Sequence, residues 1–346
     1  MEAEEISLNK LALPLVEELI EKPERYGIMV EVARCGAHVL DLGVKAPGSL
    51  DAGLKMIEAC LGGLGVASLT WVEVGGGSSP GVAATYRSGG QASMPTRMGS
   101  VRLPAVSVWT HEPALATLGA QMAGWKLELG GHVVLGSGPA RALAKKPKKV
   151  FRALGHEERS DVAILAIEAD ELPDDDFLTQ VADKCGVKPE NLYVLVASLR
   201  STAGMVQVVG RAVEACILKL MNLGFDVRAV KVAMGFAVLP PPHPDPDVCM
   251  GRSNDALLYG SVVHLWADFS DEEASEAARK APSSTSPAYG KPFLTIYEEA
   301  GRDFYAIDPG IFAPAQVVVT SLRSGRSYKA GQLNDTLISR AFGLTG

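Results

Sequence analysis

Three apolar runs decide the fold: DVAILAIEA (Asp161–Ala169), LYVLVAS (Leu192–Ser198) and FDVRAVKVAM (Phe225–Met234). Between them lie two stretches of helical period, Pro173–Cys185, with acid packed into its first turn, and Ala203–Leu223, stopped by Gly224. Acid at a helix start suits the positive end of the helix dipole. Near-continuous apolar strands alternating with helices read as a parallel sheet covered on both faces and joined by right-handed crossovers. The sequence therefore predicts a βαβαβ unit at about residues 161–235, within an α/β fold of mixed sheets. In such sheets ligands gather at the carboxyl ends of the strands.

Upstream, the periodicity predicts a helix over Leu8–Glu21 and a hairpin of IMVEVAR and HVLDLGV around Cys35–Ala37. A helix near Leu50–Leu61 follows, then the strand VASLTWVEV, ending in Gly75–Gly77. Ser78–Arg102 is glycine-rich, polar and without period, a length that marks a functional or mobile segment. The strand LPAVSVW, a helix beginning at His111–Pro113 and the strand GHVVLG come next. Downstream of the proline-rich Leu239–Pro246, Ser270–Lys280 has a full set of helix signals: a serine cap, three acids in the first turn, two bases in the last and a proline beyond. Lys291–Ala300 reads as a helix, AQVVVTSL as a strand and Gly331–Phe342 as a terminal helix. At 346 residues the chain suits two domains, expected at 1–158 and 159–346 with segments free to exchange between them.

Composition excludes several classes. With 33 Lys and Arg against 40 Asp and Glu, the net charge of −7 argues against a nucleic-acid surface. The one dense basic run, Lys145–Lys149, reads as a solvated loop. The opening MEAEEISLNK carries acid where a signal peptide carries base, and no run of about 18 apolar residues offers a membrane span. Five widely spaced cysteines without a CxxC suit reduced thiols. The expectation is a soluble cytoplasmic protein.

Several constellations are able to carry chemistry. Along Ala203–Leu223, Gln207, Arg211 and Glu214 stand at i, i+4 and i+7, within a stripe of about 60° on a continuous helix. A surface ion pair of about 0.3–0.5 kcal/mol is the ordinary reading of such a pair. The rest of this helix is apolar, however, and burying a charged pair costs several kcal/mol, so the stripe is expected to face a cleft. Gly136–Arg141 (GSGPAR) is either a tight turn or an anion cradle offering Ser137 and Arg141, but it lacks the nucleotide-loop spacings. In GRSND, Asn254 and Asp255 either cap a helix or meet a ligand, and Ser283 and Ser284 lie in the proline-stiffened APSSTSPAY. The aromatics of FYAIDPGIFAPA (Phe304–Ala315) either stack on a flat heterocycle or pack together. No HxH or HxxxH pair occurs, alternating prolines spread the acids of His243–Asp247, and no nucleophile elbow is present, so no metal is expected.

In combination, APGSLDAG (Ala46–Gly53), AGW (Ala123–Trp125), GSGPARAL (Gly136–Leu143), the segment Gly204–Glu214, LGFDV (Leu223–Val227), GRSNDALLYG (Gly251–Gly260), APSSTSPAYGKPF (Ala281–Phe293) and FYAIDPGIFAPA resemble the methenyltetrahydromethanopterin cyclohydrolase family. They fall in family order and span about residues 40–320. The resemblance implies two α/β domains with the pterin in a cleft between them, a homotrimer, no metal or nucleotide cofactor, and a tetrahydromethanopterin derivative as the substrate carrier. It implies reversible hydrolysis of the methenyl bridge to the 5-formyl compound, and places catalysis on Arg211 and Glu214. Gln207, Ser137, Arg141, Asn254, Asp255, Ser283 and Ser284 are then the candidate carrier-binding residues. Relatives commonly have lysine immediately before AGW, where this chain has Met122, so a cationic role there is either dispensable or supplied by another base.

The residue types suit that chemistry. A methenyl bridge between two nitrogens is an amidinium-like cation, already electrophilic. What it needs is a positioned water, a base to take the water's proton and an acid for the departing nitrogen. Glu214 suits the base, with Arg211 holding the carboxylate in place. The alternatives are a pterin-binding protein without turnover, a formyltransferase, or a nicotinamide-dependent dehydrogenase, whose dinucleotide fingerprint is missing.

Overall fold

The computed structural model describes residues 6–75 and 100–344, so most of the glycine-rich segment expected at 78–102 lies outside the described residues. In chain order the first elements are α1 (Leu8–Glu21), α2 (Pro23–Tyr26), β1 (Met29–Val32), β2 (His38–Asp41), α3 (Leu50–Cys60), β3 (Gly65–Gly75) and β4 (Ser100–Thr110). A π-helical segment, Ala114–Gln121, leads to β5 (Trp125–Leu129), β6 (His132–Ser137), α4 (Ala140–Ala144), α5 (Lys148–Leu154), β7 (Ala163–Glu168), α6 (Asp175–Cys185) and β8 (Leu192–Ala197). Then come α7 (Thr202–Val209), α8 (Ala212–Asn222), β9 (Val230–Val238), α9 (Pro246–Gly260) and β10 (Ser261–Ala267). The last are α10 (Asp271–Lys280), α11 (Phe293–Glu299), β11 (Gln316–Ser321), β12 (Ser327–Gly331) and α12 (Asp335–Phe342).

The chain forms two compact units. One holds residues 1–66 and 110–207, the other 67–109 and 208–346. This corrects the expected division at 158/159: β7, α6 and β8 stay with the N-terminal elements, and β3–β4 crosses to the C-terminal ones.

The first unit is built on a six-stranded sheet of order β1-β2-β8-β7-β6-β5. β2, β8 and β7 are mutually parallel, while β1, β6 and β5 join antiparallel. β8, and β7 up to its last residue, are apolar because both faces are covered. Leu165, Ile167, Val194 and Val196 pack with Phe177, Leu178 and Val181 of α6. Ile164, Ala166, Leu195 and Ala197 pack on the other face with Val16 and Leu19 of α1 and Met56 of α3. Ala203 of α7 joins this second face, and a side chain at Gly53 of α3 would lie 2.6 Å from Val206 Cβ, so α3 and α7 touch through that glycine. After β7 the chain leaves to one face through α6, and after β8 it leaves to the other through α7. The crevice between those two carboxyl ends is the topological switch point, where ligands of open α/β sheets bind.

The second unit's sheet runs β12-β11-β10-β9-β4-β3. β10 alternates buried and half-buried residues along its length. β10 pairs antiparallel with β9 and parallel with β11. The expected βαβαβ unit is therefore corrected: β7-α6-β8 form one parallel unit, and the third strand, β9, belongs to the other sheet. Val213 of α8 sits on this sheet over Gly235, where an added Cβ would meet it at 3.1 Å, so the glycine sets how closely the start of α8 approaches.

Candidate active site

The predicted helix over 203–223 is two helices, α7 and α8, interrupted at Gly210-Arg211. Arg211 has φ −94° and ψ 7°, outside helical values, and is the N-cap of α8. Glycine inside a helix costs about 1 kcal/mol relative to alanine, and the valines before it also disfavour helix. The break removes the premise of a single straight stripe. Arg211 and Glu214 remain together in one turn as the N-cap and third residue of α8, while Gln207 belongs to α7. Glu214 is buried and Arg211 half-buried. A carboxylate in the first turn lies where the helix dipole favours negative charge.

At the switch point of the first sheet, Gln207 meets a residue that the sequence reading did not single out. Gln207 Nε2 donates to Glu168 Oε2 at 3.1 Å. Glu168 is the last residue of β7 and pairs in register with Ala197, the last of β8. The signal was available: a strand apolar through AILAI closes on a carboxylate at the end where ligands bind. Close by, Ser198 Oγ donates to Asp170 at 2.5 Å and Arg200 pairs with Asp170 at 3.4 Å, lacing together the segments that leave β7 and β8.

The other predicted site residues are engaged in architecture. Arg141 is wholly buried, and its guanidinium donates to the carbonyls of Leu118 and Ala120 and lies 5.8 Å from the Phe151 ring centroid. It thereby holds the π-helical segment instead of lining an open anion cradle. Ser137 is buried, with its hydroxyl 3.5 Å from Cys60 Sγ. Asn254 and Asp255 lie inside α9 and do not start it; Asp245 caps that helix. Asn254 Nδ2 donates to the Met250 carbonyl, and Asp255 accepts the Phe293 N–H at the start of α11 at 2.7 Å. Ser283 is buried and donates to the Leu258 carbonyl at 2.5 Å, whereas Ser284 is exposed. Phe304 and Phe312 pack with Phe293, with centroids 5.7 Å from it in each case. Met122, at the position noted for a lysine in relatives, ends the π-helical segment, with its N–H on the Thr117 carbonyl.

Lys219, five residues along α8 from Glu214, was also missed. Its ammonium donates to the Gly310 carbonyl at 2.6 Å and to Thr285 Oγ1 at 3.3 Å, pinning both proline-rich loops to the helix. Burial pushes its pKa down, against the pull of Asp308. Asp308 in turn accepts from Ser286 Oγ and the Gly310 N–H. Two loops that read as ligand-binding stiffen the helix carrying Arg211 and Glu214.

Fold and side chains together define an α/β protein with a carboxylate–amide pair at its parallel strand ends and a buried glutamate beside an arginine on a helix start. Comparison with known proteins makes the assignment sharper. The family model described as Cyclohydrolase (MCH) matches residues 7–96 and 75–342. A methenyltetrahydromethanopterin cyclohydrolase of Methanocaldococcus jannaschii is 41% identical over 98% of this chain and 99% of its own length. Proteins of the same name from Methanothermobacter marburgensis (40%, covering 98% and 100%) and Methylobacillus flagellatus (38%, covering 97% and 95%) are similar along their lengths. This chain belongs to the methenyltetrahydromethanopterin cyclohydrolase family.

Proposed function

We propose that the chain catalyses reversible hydrolysis of the 5,10-methenyl bridge of a tetrahydromethanopterin carrier to the 5-formyl compound, with Glu214 as general base and Arg211 as its electrostatic partner. The observation that carries the assignment of roles is the placement of both residues in the first turn of α8, with Glu214 buried, in a chain of this family. The bridge carbon of the cationic methenyl form is attacked by water. Glu214 takes the water's proton as the C–O bond forms, and returns it to the departing nitrogen when the tetrahedral adduct opens to the formyl group. Charge and atoms balance: cation and water become neutral formyl carrier and a released proton. Arg211 holds the carboxylate, and the dipole of α8 supports its charged form. The reaction as written requires no metal or nucleotide. Gln207 is assigned to carrier binding, a homotrimer is the assembly, and the enzyme works in cytoplasmic one-carbon metabolism, in methanogenesis or formaldehyde oxidation.

Loss of methenyl absorbance, followed without added nucleotide or metal, tests the activity. Glu214→Gln is expected to keep carrier binding and lose at least about a hundredfold in kcat, a loss of about 2–3 kcal/mol of transition-state stabilisation. Near-normal turnover of that variant removes Glu214 from the mechanism. Carrier binding without turnover by the unaltered protein favours a binding protein, and transfer of the formyl group to an added acceptor favours a formyltransferase.

A further inference from the structure

Lys219 is a buried cation that the proposed reaction does not use. It is 8% exposed, and its two acceptors are themselves tied down. Thr285 Oγ1 donates to the Pro282 carbonyl at 2.8 Å. The Gly310 N–H donates at 3.0 Å to Asp308, which also accepts from Ser286 Oγ at 2.5 Å. Two proline-stiffened loops therefore meet at one ammonium. The approach is close: a Cβ added to Gly310 would lie 3.1 Å from both Lys219 Nζ and Asp308 Oδ2. Burying an ammonium is costly, and an apolar residue would pack α8 without that cost. What the ammonium adds is direction, because hydrogen bonds are directional and apolar contact is not.

The quantity such a latch sets is the roll of α8 about its own axis. The break at Gly210-Arg211 uncouples α8 from α7, so the earlier helix does not carry its rotation through. On the sheet side, Val213 sits over Gly235. At 3.6 residues per turn, Glu214 leaves the helix about 100° around from Val213, and Lys219 about 140° beyond Glu214. Apolar contact at Val213 tolerates small rotations; the hydrogen bonds of Lys219, about 120° away on the other side, do not. Side chains reach about 5–6 Å from a helix axis, so a roll of about 10° moves the Glu214 carboxylate by about 1 Å. A misplacement of about 1 Å is enough to cost about a hundredfold in rate.

We propose that Lys219 is a positioning residue for the hydration step: through its latch on the loops of Thr285 and Gly310 it holds α8 at the roll that directs the Glu214 carboxylate at the attacking water. This rests on the proposed role of Glu214 as general base. Five residues of rise, about 7.5 Å, and about 140° of turn separate the two side chains, so Lys219 acts through the helix and not by touching the carboxylate.

The test is a double-mutant cycle in the full-length enzyme, with methenyl turnover by the unaltered protein as its control. Lys219→Met keeps an unbranched stem and removes the donors. It is expected to lower kcat at least about tenfold in both directions with KM within about threefold, and Lys219→Arg to recover part of the loss. In a Glu214→Gln background, Lys219→Met should lower kcat by less than about twofold, because a carboxylate already lost cannot be misdirected. Equal fold losses in the two backgrounds, or a raised KM at constant kcat, overturn the positioning role. If Lys219→Met does not fold, Thr285→Val removes one acceptor of the latch and should lower kcat about threefold alone but not beside Glu214→Gln. An unchanged kcat in Thr285→Val overturns the role equally. Near-normal turnover of Glu214→Gln refutes the general base, and absent turnover by the unaltered protein refutes the cyclohydrolase reading; either takes this inference with it.

Discussion

Two buried carboxylates, one in each unit, sit in opposite electrostatic states. Glu158, in the first unit, accepts five hydrogen bonds: from Ser7 Oγ, the N–H groups of Leu8 and Asn9, Asn9 Nδ2 and His156 Nε2, all at 2.8–3.1 Å. Burial pushes its pKa up, but these donors, His156 first among them, outweigh it and hold the group at about 2. Asp255, in the second unit, receives the Phe293 N–H and no other hydrogen bond among the described residues, and burial raises it to about 7. Glu158 is 8% exposed and Asp255 3%, so depth does not distinguish them. The number of donors does: each bond to the charged form offsets part of its lost hydration. Glu158 is thereby a remote cap for α1, satisfying amides at the start of that helix, while Asp255 tethers the start of α11 with a charge that its surroundings oppose.

Removing the better-satisfied group should cost most. Glu158→Ala leaves the donors of Ser7, Asn9 and His156 without their acceptor and should destabilise the first unit by about 3–5 kcal/mol, read as a lower denaturation midpoint. Because its folded pKa lies below the ordinary 4.5, the stability Glu158 contributes is present above about 4.5 and is lost as pH falls towards 2. Acid unfolding of the variant should lack that component; if its acid limb matches that of the unaltered protein, the donors do not set the carboxylate's state.

Asp255 should show the reverse sign. Its folded pKa is raised from 3.8 to about 7, so stability is fullest below about 3.8 and declines as pH rises through 7. Asp255→Asn, whose amide oxygen can still accept from Phe293, should flatten that decline, which amounts to about 2–4 kcal/mol. Thermal unfolding of both proteins between pH 4 and 8 measures it, and parallel curves would break the contrast. The smallest effect is expected from Ser7→Ala, which removes one of the five donors and the N-cap of α1 together. It should cost about 1 kcal/mol and move the acid transition attributed to Glu158 upward.

Elements whose signals are local were legible. Ser270–Lys280 is α10, with Ser270 and Glu273 forming the capping box. The two strands of the parallel unit are where their apolar runs put them, because residues covered on both faces must be apolar at every position. β12 passed unnoticed: five residues at a sheet edge, SYKAG, carry little pattern. The interruption at Gly210 was visible as a glycine, but the passage from one unit to the other after Gln207, near the end of α7, was not, since a sequence records propensity and not the partner each segment packs against.

The candidate site divides along the same line. Chain order alone kept Arg211 and Glu214 within one helical turn, because residues three apart meet whether the helix before them continues or breaks. Composition likewise determined that the chain is acidic, the alternation of apolar runs with helical stretches that it is α/β, and its motifs already pointed to the family. Only the folded chain decided that β9 leaves the sheet of β7 and β8, that Arg141 turns inward to two carbonyls, and that Gln207 meets Glu168, 39 positions earlier. Those outcomes depend on which strand ends become neighbours and which polar groups are shut away from water, and no local preference specifies either.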